Sequence, residues 1–171
     1  KQPFIRMNTL HEAMLKVIAG PEKKSRVVSP LARKLTAYHE AGHAIAGRYL
    51  AHTDPVHYIT IIPRGGAGGF TLFRPDEDRS FTSRSEMFEN IVMALGGRVS
   101  EQLFLDDIST GASGDIRQAT SIARNMVAMY GMSDEFGMMA LGSVRNQYLD
   151  GGYGLDCAQD TAAVMDKAVK A

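Results

Sequence analysis

Cysteine is almost missing from this 171-residue chain. The one at position 157 has no partner for an internal disulfide and no companions for a cysteine-ligated zinc cluster. A reducing compartment fits that usage. No stretch approaches 18 consecutive apolar residues, so no transmembrane helix is predicted within these residues. Net charge is missing as well, because 19 Lys and Arg balance 19 Asp and Glu. The balance is uneven along the chain. Residues 1–35 hold eight basic and two acidic residues, and the rest hold eleven and seventeen. The basic run Lys23-Lys24-Ser25-Arg26 has no aromatic residue interleaved with it, so it offers no stacking platform for bases. It reads as a solvated linker, and no nucleic-acid partner is expected. The 17 glycines follow no period of three and no internal repeat is visible, which excludes collagen-like and solenoid chains.

What remains is ordinary globular composition, 44% hydrophobic and 22% charged, enough for a core of about one domain. The ten methionines read as flexible core filler. The chain opens on Lys1 and stops at Ala171 inside a segment, Asp160 to Ala171, that still reads as helix. It is therefore expected to be a piece of a longer protein.

Hydrophobic spacing predicts a first helix over 8–19, with Leu10, Met14, Val17 and Ile18 on its stripe and Gly20-Pro21 ending it. Ser29-Pro30 supplies an N-cap followed by proline at the first helical position. The helix it opens should run to about Leu50, with Leu31, Leu35, Tyr38, Ile45 and Tyr49 facing the core. Val56 to Pro63 and Phe70 to Phe73 are β-rich and flank a glycine-rich turn, which predicts a hairpin. That turn lacks the Lys-Ser/Thr ending of a phosphate loop and no helix opens from it, so ATP is not expected there. A long helix is predicted over Ser83 to Leu105, with Phe88, Ile91, Val92, Leu95, Val99 and Leu103 as its stripe. Gly96-Gly97 inside it points either to close approach of another element or to a kink. Another helix is predicted from Asp115 to Tyr130, stopped by Gly131, with Ile116, Ala119, Thr120, Ala123, Val127 and Tyr130 on one face. Residues 131–158 give no clear pattern. The fold class expected is mainly α with a small β-sheet, the sheet lying against the helix that carries the motif described next.

The motif is His39-Glu40-Ala41-Gly42-His43. Histidines at i and i+4 lie on one helix face, one turn apart, and two imidazoles so placed can bind one zinc ion. Glu40, beside the first ligand, can act on the attacking water without binding the metal, as the general base of a metallopeptidase. Gly42 inside the motif suits close approach of another element and gives an exposed helix nothing. A third protein ligand is needed. Ala46 and Tyr49 stand where the extended metzincin motif needs glycine and histidine, so the third ligand must come from farther along the chain. Spacing leaves two candidates. Glu101 lies on the second long helix, where an exposed glutamate is the plainer reading, and Asp115 lies at a helix start, where the helix dipole alone favours a carboxylate. His11 reads as an exposed helix residue, and His52 and His57 as turn and strand positions.

Several separated segments now resemble one family. Ala37-Tyr38-His39-Glu40-Ala41-Gly42-His43-Ala44, Asp54-Pro55-Val56-His57, Thr60-Ile61-Ile62-Pro63-Arg64-Gly65, Gly96-Gly97-Arg98, Ser109-Thr110-Gly111-Ala112-Ser113-Gly114-Asp115 and Ala123-Arg124-Asn125-Met126-Val127 look like motifs of the FtsH family of ATP-dependent, membrane-anchored proteases. Val17 to Ser25 is similar to that family's junction between ATPase and peptidase domains. The resemblance implies a zincin-type peptidase domain over 29–171, truncated at its C-terminus, with residues 1–28 the end of the ATPase module and its linker. It implies one Zn2+ per chain on His39, His43 and Asp115, with Glu40 as the general base and Glu101 orienting a histidine from behind. Gly114 stands where the family usually has asparagine. It further implies a homo-hexamer at the cytoplasmic face of a bacterial inner membrane, serving membrane protein quality control. Its substrates would be unfolded membrane and soluble proteins, cleaved by a metal-activated water. ATP and the membrane would be engaged through segments outside these residues. A substrate is expected to add as a strand beside Gly69 to Phe73. The alternative is a catalytically inactive assembly or substrate-binding module of the same fold, against which the intact Glu40 counts.

Overall fold

A computed structural model describes residues 4–23, 25, 27–144 and 153–171. Lys24 and Arg26 of the basic run, and residues 145–152 of the unpatterned stretch, lie outside the described residues. The fold is mainly helical with two small antiparallel sheets, as expected. It divides into two compact units. No helix among the described residues is long and apolar enough to cross a membrane.

The first unit comprises Lys1–Leu50, Asp54–Glu77 and Gly96–Thr110. Helix α1 (Met7–Ile18) buries Leu15 completely, while Leu10, Val17 and Ile18 of the expected stripe are exposed. His11, expected to be exposed, is half-buried edge-on against Tyr58, with ring centroids 5.3 Å apart. Helix α2 (Pro30–Tyr49) starts where Ser29-Pro30 directs, and the Ser29 hydroxyl accepts from the Ala32 N–H at 3.1 Å. Its buried face is not the apolar stripe read from spacing. Leu31, Ile45 and Tyr49 are exposed, and the helix buries Glu40, His43 and Gly47 instead.

Strands β1 (Val56–Thr60) and β2 (Phe70–Phe73) form the expected hairpin, with Tyr58 opposite Leu72 and Ile59 opposite Thr71. The connector before α2 is exposed yet held. The Lys23 N–H donates to the Pro63 carbonyl at 2.9 Å, and buried Arg64 pairs with Glu12 at 3.0 Å. Residues 96–104 of helix α3 (Arg84–Phe104) complete this unit. The helix continues unbroken through Gly96-Gly97, so the glycines serve close approach and not a break. A Cβ on Gly42 would meet Ser100 Cβ at 2.6 Å and the Gly96 carbonyl, and the Ser100 hydroxyl donates to the Tyr38 carbonyl at 2.7 Å. The two helices thus pack backbone to backbone directly beside the histidines.

The second unit comprises Ala51–Thr53, Asp78–Leu95 and Gly111–Ala171. Helix α3 opens here with a reciprocal cap that the sequence pattern Ser-x-x-Glu encodes. The Ser83 N–H donates to Glu86 Oε2 at 2.6 Å, and the Glu86 N–H donates to the Ser83 hydroxyl at 3.2 Å. Helix α4 (Ser113–Ala128) begins two residues before the expected start, behind a 3-10 turn at Thr110–Ala112. Gly131, at φ +60°, turns the chain away beyond it. Strands β3 (Gly142–Val144) and β4 (Tyr153–Leu155) pair antiparallel, and helix α5 (Gln159–Lys170) follows where helix was expected. The core is Val127, Ala128, Leu141 and Met165, with Phe136, Cys157, Ala168 and Val169 against it. Each fully buried aliphatic side chain there contributes about 1.5–3 kcal/mol. Met126 and Met165 are core residues, but Met7, Met138 and Met139 are exposed, so methionine is not uniformly filler.

Candidate metal centre and active site

Helix α2 sets the site by periodicity alone. His39 and His43 stand one turn apart, and their Nε2 atoms are 3.0 Å from each other with the rings nearly perpendicular. His39 Nδ1 donates to Glu101 Oε1 at 2.7 Å. Glu101 is fully buried on α3, not the exposed helix residue that frequency favours. Its carboxylate also receives the Ser109 hydroxyl at 3.1 Å on Oε1 and the Ser109 N–H at 2.8 Å on Oε2. An ionised carboxylate only accepts, so His39 carries its proton on Nδ1 and turns the Nε2 lone pair toward His43.

That arrangement fits a metal. Two nitrogens on one tetrahedral zinc lie about 3.3 Å apart at ordinary bond lengths of about 2.0–2.1 Å. The observed separation is slightly shorter, within reach of small ring rotations. The space is made by a residue with no side chain. A Cβ on buried Gly97 would stand 2.5 Å from His43 Nε2 and 2.7 Å from His39 Nε2. Glycine at 97 leaves open the volume where the two nitrogens meet.

Glu40, also buried, lies between the two histidines in sequence and presents its carboxylate toward the hairpin. Thr71 of β2 donates from its hydroxyl to Glu40 Oε2 at 2.8 Å, with the Glu40 carbonyl 3.1 Å from the same oxygen. The first unit therefore gathers His39, His43, Glu40 and Glu101. Asp115 belongs to the second unit, half-buried in the first turn of α4, where N–H groups without intrahelical partners favour a carboxylate.

Sequence reasoning missed three residues here: Thr71, Ser109 and the steric part played by Gly97. Ser109 opens the motif that ends at Asp115, and Gly97 lies in the Gly-Gly-Arg motif, so both carried a signal. Thr71 carried none, because a threonine in a strand is unremarked. His52 sits elsewhere, in the second unit. Its backbone N–H and Nδ1 both meet the Glu89 carboxylate, at 2.6 and 2.7 Å, and hold that carboxyl below its ordinary value.

A helix bearing the HExxH motif, its first histidine fixed from behind by a buried carboxylate, within a mainly helical fold with small sheets, defines a metallopeptidase domain, a hydrolase. Peptidase family M41 matches residues 26–171, and the chain belongs to that family. It is similar to the ATP-dependent zinc metalloprotease FtsH 2 of Alkaliphilus metalliredigens (strain QYMF), 62% identical over 81% of the chain and 20% of the relative. It is 50% identical to FtsH 1 of Thermoanaerobacter sp. (strain X514), over 97% of the chain and 28% of the relative. It is 47% identical to FtsH of Caldicellulosiruptor bescii, over 97% and 27%. The chain thus spans between a fifth and somewhat over a quarter of the length of these relatives.

Proposed function

We propose that this chain is the zinc endopeptidase part of an ATP-dependent protease and hydrolyses peptide bonds of unfolded polypeptides. The observation that carries the reading is the pair of facing Nε2 atoms on α2, with His39 fixed by Glu101 and the Glu40 carboxylate buried beside them. His39, His43 and Asp115 hold the zinc, each able to offer one ligand atom. The relatives, named zinc metalloproteases, support that choice of metal.

Bound zinc supplies Lewis acidity, polarising the scissile carbonyl and making the attacking water more acidic. Glu40 accepts the proton of that water on its carboxylate and delivers it to the departing amine. Glu101 keeps the Nδ1 proton on His39 and with it the ring orientation, so that Nε2 remains a donor of electrons to the metal. The substrate backbone lies along β2 as an added strand. Among the described residues β2 pairs with β1 alone, so one of its edges has no strand partner. Main-chain pairing suits weak sequence preference.

We read residues 1–28 as the end of an ATPase module and its linker, and 29–171 as peptidase domain. The whole protein would then be a homo-hexamer anchored at the cytoplasmic face of a bacterial inner membrane, drawing ATP and membrane contact from other segments. The test is cleavage of an unfolded, fluorescently labelled protein by the zinc-supplied chain and by Glu40→Gln. The expected result is loss of about 10²–10⁴-fold in rate in the variant. Equal cleavage by both would remove Glu40 as the general base, and a wild type that holds zinc and cleaves nothing would instead identify an inactive assembly or substrate-binding module.

A further inference from the structure

The HExxH chemistry leaves one contact unexplained, the Thr71 hydroxyl on the Glu40 carboxylate. Glu40 is 6% exposed, and a buried carboxylate oxygen requires a donor. Thr71 provides one at 2.8 Å from the middle of β2, opposite Ile59. The same hydroxyl oxygen lies 3.1 Å from the Glu40 main-chain carbonyl, so both ends of the residue bear on one threonine. The strand is pressed against the helix at this point. A Cβ on buried Gly69, the residue just before the strand, would meet Thr36 Cγ2 at 2.7 Å and Glu40 Cγ at 3.2 Å.

A general base must sit within hydrogen-bond reach of the proton it takes. Glutamate has three rotatable bonds, and a displacement of about 1 Å costs on the order of a hundredfold in rate. We propose that Thr71 is the positioning residue of the peptidase. Its hydroxyl fixes Glu40 Oε2, and because it stands on the strand along which substrate is placed, it registers the base to the scissile bond. The inference rests on the peptidase reading. Thr71 acts through Glu40 and touches no reacting atom. A proline at 71 would confuse the two effects, since it removes both a strand N–H and this hydroxyl.

The test uses Thr71→Val, which keeps the branched shape without the donor, and Thr71→Ser, which keeps the donor. Zinc content should match wild type in both. In Thr71→Val, kcat should fall about 10- to 100-fold with KM within about twofold, and Thr71→Ser should stay within about threefold of wild type. Unchanged kcat in Thr71→Val, or equal loss in both variants, would overturn the proposal. A second readout needs no activity. In the metal-free chain, denaturation midpoints of Thr71→Val, Glu40→Ala and the double variant should be non-additive, the double falling by about as much as the larger single change. Additive shifts would overturn the contact itself. A wild type that binds zinc but cleaves nothing removes the peptidase reading and the catalytic half of this proposal with it, while the midpoints still decide whether Thr71 holds Glu40.

Discussion

In the first unit, the described residues bury Glu40, His43, Thr60, Arg64, Ser100 and Glu101, with Leu15 as the large apolar side chain among them. In the second they bury Ala94, Ala112, Ala119, Met126, Val127, Ala128, Leu141 and Met165, and no charged group. One interior is a set of hydrogen-bonded polar groups around the histidines and the other is a conventional apolar core. A polar interior gains little from burial, because each buried polar group must recover in the protein the hydrogen bonds it gave up in water. What it does gain is a fixed position for each titratable side chain. The second unit carries no such demand, and its interior can be devoted to stability.

That contrast can be broken or sharpened by substitution. Leu141→Ala, in the second unit's core, should destabilise the chain by about 2–5 kcal/mol in urea unfolding, while zinc per folded chain stays at the wild-type level. Loss of metal without loss of stability would place Leu141 in the wrong category. Gly97→Ala should do the reverse. The added methyl first meets the ends of two imidazole side chains and not neighbouring backbone, so far-UV circular dichroism should be unchanged and zinc affinity should fall about 10- to 100-fold, measured by competition with a chromophoric chelator. Wild-type zinc affinity in that variant would mean the cradle is not needed.

The smallest effect concerns two half-buried carboxylates of the second unit. The Glu89 carboxyl is held below its ordinary value of 4.5 by the backbone N–H of His52 and then by its ring, and Glu86 is lowered by the Ser83 N–H and hydroxyl and further by Arg79. Groups with a lowered folded value stabilise the native state above that ordinary value and lose the contribution as pH falls through the lowered one. Glu89→Gln should therefore make the thermal midpoint fall less steeply below about pH 4.5. An unchanged acid limb would count against the His52 contact.

The sequence was most legible where a local rule acts. Ser29-Pro30 marked the start of α2, two β-rich runs around a glycine-rich turn marked the hairpin, and the i, i+4 histidines marked the one turn of helix that matters. The same α2 misled where periodicity was read as burial. Leu31, Ile45 and Tyr49 form an apolar stripe that lies in solvent, because the face turned inward is the polar one carrying Glu40 and His43. Spacing could not distinguish Glu101 from an exposed glutamate, since its partner His39 is 62 residues away and is met through the packing of two helices at Gly42 and Gly96. Strands β3 and β4, three residues each within a glycine-rich stretch, were too short to impose any period. The Ser83–Glu86 cap was readable as Ser-x-x-Glu and went unread.

The proposal at the centre of this account is a zinc ion held by His39, His43 and Asp115. Elemental analysis of zinc in purified wild type, Glu40→Gln, Glu101→Gln and Asp115→Ala tests it most directly. The account predicts about one zinc per chain in wild type and Glu40→Gln, weakened retention in Glu101→Gln, and none after dialysis in Asp115→Ala. Full zinc in Asp115→Ala, with loss in Glu101→Gln, would contradict it and make Glu101 the ligand.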